Sequence, residues 1–184
     1  MRITSAIGLL VIAGSALGLS AIALSAAAAP EQKAANPVIV IDTVKGVIEI
    51  ELQPKQAPKT VAHILELVEK NFYRGLRVHR ATSGLVQMGD PQTRNMRLQN
   101  SWGSGGSGHV IGVFEINPLM KHARGSVGMA HSGDPKLADS QFYIMKTPMS
   151  GLDGDFTIFG RVIKGITVAD RLQIADIVKN ITVK

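Results

Sequence analysis

The chain has 184 residues, enough for one domain with its own hydrophobic core. It has no cysteine, which excludes disulfides, thiolate nucleophiles, cysteine-held metals and lipid attachment at a cysteine. The formal net charge is +6, but the basic residues form no run and no aromatics interleave with them, so no nucleic-acid partner is expected.

Residues 1–29 differ in kind from the rest. Arg2 gives a positive start, and Ile3 to Ala29 then carries no charge. Small residues at Ser25 to Ala29 offer an Ala-x-Ala-like cleavage site, and Pro30 moves the expected cut to after Ala27 or Ala28. The reading is a signal peptide and a mature chain in the periplasm or secreted. The apolar run is also long enough to span a bilayer, so an uncleaved segment would act as a membrane anchor. Residues 30–37 read as a flexible leader, and residues 38–184 as the folded domain.

Val38 to Thr43 and Gly46 to Leu52 are β-branched runs joined by Val44-Lys45, which predicts a hairpin. Apolar and acidic residues alternate in the second run, as in a strand with one wet face. Pro58 suits a first helical position. Val61, Ile64, Leu65, Val68 and Phe72 then follow at helical spacing, predicting an amphipathic helix over 58–71. Further strands are expected near 77–82, 85–88, 127–130, 141–145, 157–163 and 174–183, with a short helix near 167–172. Many short strands with two helices suggest a mainly β barrel, because closure removes sheet edges. Periodicity alone does not separate a barrel from a sandwich.

Several chemistries find no support. Gly103-x-Gly105-x-x-Gly108 has the spacing of a dinucleotide fingerprint, but the following His109-Val-Ile-Gly-Val-Phe114 reads as extended, so no helix N-terminus would meet a phosphate. His63, His79, His109, His122 and His131 form no pair at ligand spacing, and no metal site is expected. No Gly-x-Ser-x-Gly turn presents a nucleophilic serine.

Three blocks remain. They are Val78-His79-Arg80; Met129-Ala130-His131-Ser132 with Ser140-Gln141-Phe142-Tyr143; and Leu152-Asp153-Gly154-Asp155-Phe156. In this order and spacing they resemble the cyclophilin family of peptidyl-prolyl cis-trans isomerases, over roughly residues 38–184, nearly all of the expected mature chain. The resemblance implies a closed eight-stranded antiparallel β-barrel capped by two α-helices. It implies an isomerase without cofactor, acting on Xaa-Pro bonds of unfolded or partly folded exported proteins, and a monomer is expected.

The family match implies that Arg80 is catalytic, supported by His79, with Gln87 beside them. Ala130, His131 and Ser132 match a segment that pairs with substrate backbone, and Gln141 matches the family's glutamine. Tyr143, Leu152 and Phe156 match pocket residues, and Leu85 and Val86 fall where the pocket wall is expected. Met129 reads as ordinary core. The chain departs from the pattern at Val78, His131, Gly151 and Phe156, and is one residue short between Gly84 and Gln87. The pocket is thus less aromatic than the family norm. An alternative function is a proline-peptide-binding module or chaperone with weak or no turnover.

Overall fold

The computed structural model describes residues 35–184. The expected signal peptide and residues 30–34 of the leader lie outside the described residues. The hairpin forms as the pattern requires, with β1 (Val38–Thr43) antiparallel to β2 (Gly46–Leu52). Ile39 and Ile41 point inward from β1, and Ile48, Ile50 and Leu52 from β2; all are fully buried. On the outer face of β2, Glu49 is covered by the ammonium groups of Lys184 at 2.9 Å and Lys164 at 3.3 Å.

Helix α1 (Pro58–Glu69) follows. Ala57, just before it, offers no side-chain cap. Glu115, from a distant loop, supplies one: its carboxylate accepts from the backbone of Lys59 and Thr60, each at 2.9 Å. That answers both the unpaired N–H groups and the positive end of the helix dipole. The buried face is Thr60, Val61, Ile64, Leu67 and Val68. The expected stripe is corrected in register: Leu67 turns inward, Leu65 sits at the edge, and Phe72 lies past the helix end.

The remaining strands are β3 (Arg80–Ala81), β4 (Leu85–Met88), β5 (Ser126–Met129), β6 (Phe142–Met145), β7 (Ile158–Lys164) and β8 (Val178–Val183). Helix α2 (Ile166–Arg171) precedes β8. One antiparallel sheet runs in the order β3-β4-β6-β5-β7-β2-β1-β8. It curls around Phe142, Phe159, Tyr73 and the aliphatic residues of β1 and β2. α1 packs against β8 and α2 against β2.

The fold is the expected eight-stranded one, with one correction. No strand ladder joins β3 to β8, so the sheet is a curled half-barrel rather than a fully closed one. The gap is crossed by irregular backbone: an isolated bridge joins Arg77 and Ile177, and Val78 donates to Asp176 O at 3.0 Å. The cause is the brevity of β3, which has only two residues in regular pairing.

Candidate active site

Sheet register brings the candidate residues together. Arg80 on β3 lies opposite Gln87 on β4, Gln87 opposite Tyr143 on β6, and Tyr143 opposite Gly128 on β5. Directly opposed residues share a face, so Arg80, Gln87 and Tyr143 form one row. Leu85 and Met145 form the next row on the same face.

A cavity of about 170 Å³ opens over these rows. Leu85 and Tyr143 contribute from the sheet and Ala130 from just past the end of β5; Met149, Leu152 and Phe156 come from the loop after β6. Arg80 and Gln87 are on its polar side, and His131 stacks on Phe156 with ring centroids 4.4 Å apart. Among the described residues Arg80 has no carboxylate partner and its side chain makes no hydrogen bond, although it is exposed. A lone surface arginine ordinarily finds an acidic neighbour; this one faces an apolar cavity instead.

His79 sits behind the strand rather than in the cavity. It is half-buried, its ring lies 3.4 Å from where a Cβ on Gly103 would stand, and neither ring nitrogen has a partner. Burial pushes its pKa below the usual imidazole value, so the ring beside Arg80 is held neutral. Arg77 is turned away, donating to Ala175 O at 2.9 Å to help close the half-barrel.

The two glutamines are linked. Gln87 Nε2 donates to Gln141 Oε1 at 3.0 Å, and Gln141 Nε2 donates to Gly103 O at 2.9 Å and Gly105 O at 2.7 Å. Both amides therefore brace the glycine-rich loop. Asp90, fully buried, holds the same loop, accepting from Gly105 N at 3.2 Å and from Gln92 N at 2.7 Å. The Gly-x-Gly-x-x-Gly spacing thus builds a rim, not a phosphate cradle. That rim edges a second cavity of about 530 Å³, which shares Gln87, Ala130 and His131 with the first and also holds Ser132 and Gln141.

Of the expected site residues, Val86 is misplaced. It is fully buried in the main core, on the opposite face of β4 from Leu85 and Gln87. Strict alternation along the strand carries that signal. Met129 is core, as expected. Met149 and Asp139, which line the two cavities, carry no signal in the sequence.

A family model described as "Cyclophilin type peptidyl-prolyl cis-trans isomerase/CLD" matches residues 38–184. The chain belongs to the cyclophilin family. This cyclophilin is 34% identical over 153 residues to a peptidyl-prolyl cis-trans isomerase of Helicobacter pylori, covering 82% of this chain and 89% of the relative. It is 36% identical over 137 residues to peptidyl-prolyl cis-trans isomerase B of Bacillus subtilis, covering 74% and 90%. Among solved structures, a cyclophilin of Cryptosporidium parvum superposes with a TM-score of 0.69 at 25% identity, covering 81% of this chain and 98% of that one. A second crystal structure of that protein, in the presence of the dipeptide Ala-Pro, gives 0.68 at 26% identity, covering 80% and 98%. The cyclophilin is therefore an enzyme, a peptidyl-prolyl cis-trans isomerase.

Its reaction asks for no covalent step. Rotation about the Xaa-Pro amide is slow because conjugation raises a barrier of about 18–20 kcal/mol. At the midpoint the prolyl nitrogen becomes pyramidal and regains its lone pair. A catalyst needs an apolar seat for the ring and a donor for that lone pair, binding the twisted form more tightly than the planar ones.

Proposed function

We propose that this cyclophilin speeds the folding of exported proteins by twisting their Xaa-Pro bonds in the small cavity, with Arg80 as the catalytic group. The observation that carries the reading is the unpartnered Arg80 guanidinium beside an apolar cavity. The proline ring sits against Leu85, Tyr143, Leu152 and Phe156. An Arg80 N–H donates to the prolyl nitrogen only when that nitrogen turns pyramidal. A guanidinium suits this role because it stays charged and holds its donors in a fixed plane. His79, neutral behind it, adds no competing charge. Gln87, Gln141, His131, Ala130 and Ser132 lie where a peptide running between the two cavities would pass. The Ala-Pro dipeptide named with the Cryptosporidium relative supports Xaa-Pro as the ligand class.

Arg80→Ala should lower kcat/KM on an Xaa-Pro peptide by about a hundred- to a thousandfold, the effect of removing one transition-state donor. The fold should be unaffected, because the side chain is exposed and bonds to nothing. Arg80→Lys should rescue poorly. An Arg80→Ala variant with near wild-type turnover would overturn the mechanism. A wild type that binds Xaa-Pro peptides without turnover would make the protein a binding module.

The export part of the reading rests on Arg2, the uncharged run to Ala29 and the small residues before Pro30. Uncatalysed prolyl isomerisation takes tens of seconds, long enough to limit folding of exported chains. N-terminal sequencing of protein from outside the cytoplasm should begin at Ala28 or Ala29. Full-length chain recovered from membranes would instead support the anchored form.

A further inference from the structure

His122 is the most completely committed buried side chain outside the catalytic row. Its imidazole is fully buried. Nδ1 lies 2.9 Å from Asp153 Oδ1, and Nε2 lies 2.8 Å from the Tyr143 hydroxyl. Its backbone joins in: His122 N donates to Asp153 Oδ1 at 2.8 Å, and His122 O accepts from Met149 N at 2.8 Å. One residue therefore ties the loop bearing Met149, Leu152 and Phe156 to strand β6 through Tyr143.

The proton positions follow from the partners. The His122 bonds hold the Asp153 carboxyl below the usual carboxylate range, so it is ionised and accepts from Nδ1–H. Nε2 is then a bare acceptor for the Tyr143 O–H. Burial raises the Tyr143 pKa far above neutrality, so its hydroxyl keeps the proton. Gly128 makes room for this bond, because a Cβ there would collide with the Tyr143 hydroxyl. The Tyr143 and Phe156 rings then meet edge to face, 6.0 Å between centroids.

We propose that Asp153, His122 and Tyr143 form a positioning relay that fixes the floor and outer wall of the proline cavity, with His122 as its centre. The inference rests on the small cavity being the Xaa-Pro site. His122 locks the Tyr143 ring from Nε2 and the loop from Nδ1.

A seat for the proline ring serves planar and twisted states alike, so its loss acts on KM more than on kcat. Tyr143→Phe removes the bond from one end. His122→Asn removes it from the other and keeps an amide donor near Asp153. Each should raise KM for a non-ionisable Xaa-Pro peptide about three- to tenfold, the range of one buried hydrogen bond, with kcat within about twofold. The double variant should match the singles, because both remove one interaction. If His122→Asn fails to fold, Tyr143→Phe decides alone. Unchanged KM in Tyr143→Phe, with Arg80→Ala inactive, would overturn the relay. Normal turnover in Arg80→Ala would overturn the site assignment instead.

Discussion

His79 and Arg80 are chain neighbours with opposite surroundings, and each can be tested by what it lacks. Arg80 lacks an acidic partner, which leaves its donors free for a passing substrate. His79 lacks any partner for either ring nitrogen, which makes its charged form costly. Burial depresses its folded pKa below the ordinary imidazole value of about 6.5. Between the folded and unfolded pKa values the unfolded chain binds more protons, so stability rises with pH there. His79 therefore contributes stability that is present above about 6.5 and lost as pH falls toward the folded pKa. Thermal melts at stepped pH should show wild type losing stability over that window. His79→Gln should lack that part of the loss, whatever its absolute stability; equal slopes in the two proteins would contradict the account. At this scale the sequence was informative where one residue carries the chemistry. Arg80 stands out beside His79 in a strand-like segment. Tyr143 and Gln141 fall at fixed spacing after Ala130. Met149 did not stand out, because a methionine in a loop has no pattern that says which cavity it enters. Nor did His122: its partners lie 21 and 31 residues away, at Tyr143 and Asp153.

Strand alternation is the most reliable guide among the elements, and it assigns Val86 to the core rather than the pocket. β4 reads Leu85-Val86-Gln87-Met88, with Leu85 and Gln87 on the cavity face and Val86 and Met88 on the core face. Placing Gln87 in the site already excludes Val86 from it. The hairpin of β1 and β2 was legible because both runs are β-branched, the second alternates, and the turn between them is two residues long. α1 was legible in position but not in its buried arc, since Leu65 and Leu67 are equally apolar and only tertiary packing chooses between them. Its cap was not legible at all, because Glu115 reaches the helix from 55 residues away. No periodicity in residues 90–108 announces their structure. It comes from Asp90 and Gln141 gripping glycine backbone, with Gln87 bracing Gln141, contacts that depend on the folded sheet. The strands expected near 77–82 and 174–183 pair regularly only over Arg80–Ala81 and Val178–Val183; Arg77 and Val78 meet residues 175–177 through an isolated bridge and single bonds.

Across the whole molecule, the central sheet separates two apolar clusters with different duties. The larger lies inside the curl and includes Ile50, Ile64, Phe142 and Phe159, all fully buried. The smaller lies on the other face of β4 and β6: Leu85, Tyr143 and Met145, with Ala130, Leu152 and Phe156 against them. The smaller cluster is also the cavity wall, so its outer members keep surface for substrate rather than for the fold. The two should respond differently to truncation. Ile50→Ala empties a closed site and should cost about 2–5 kcal/mol in a denaturant melt, while the folded fraction keeps its kcat/KM. Leu152 is only half-buried, so Leu152→Ala should cost less than about 1 kcal/mol of stability. It should nevertheless raise KM about five- to thirtyfold, because a bound proline ring would have covered roughly 1–2 kcal/mol of its apolar surface. A Leu152→Ala variant with wild-type KM would mean that the ring does not rest on this wall. An Ile50→Ala variant that loses activity while still folded would mean that the two clusters are coupled through the sheet.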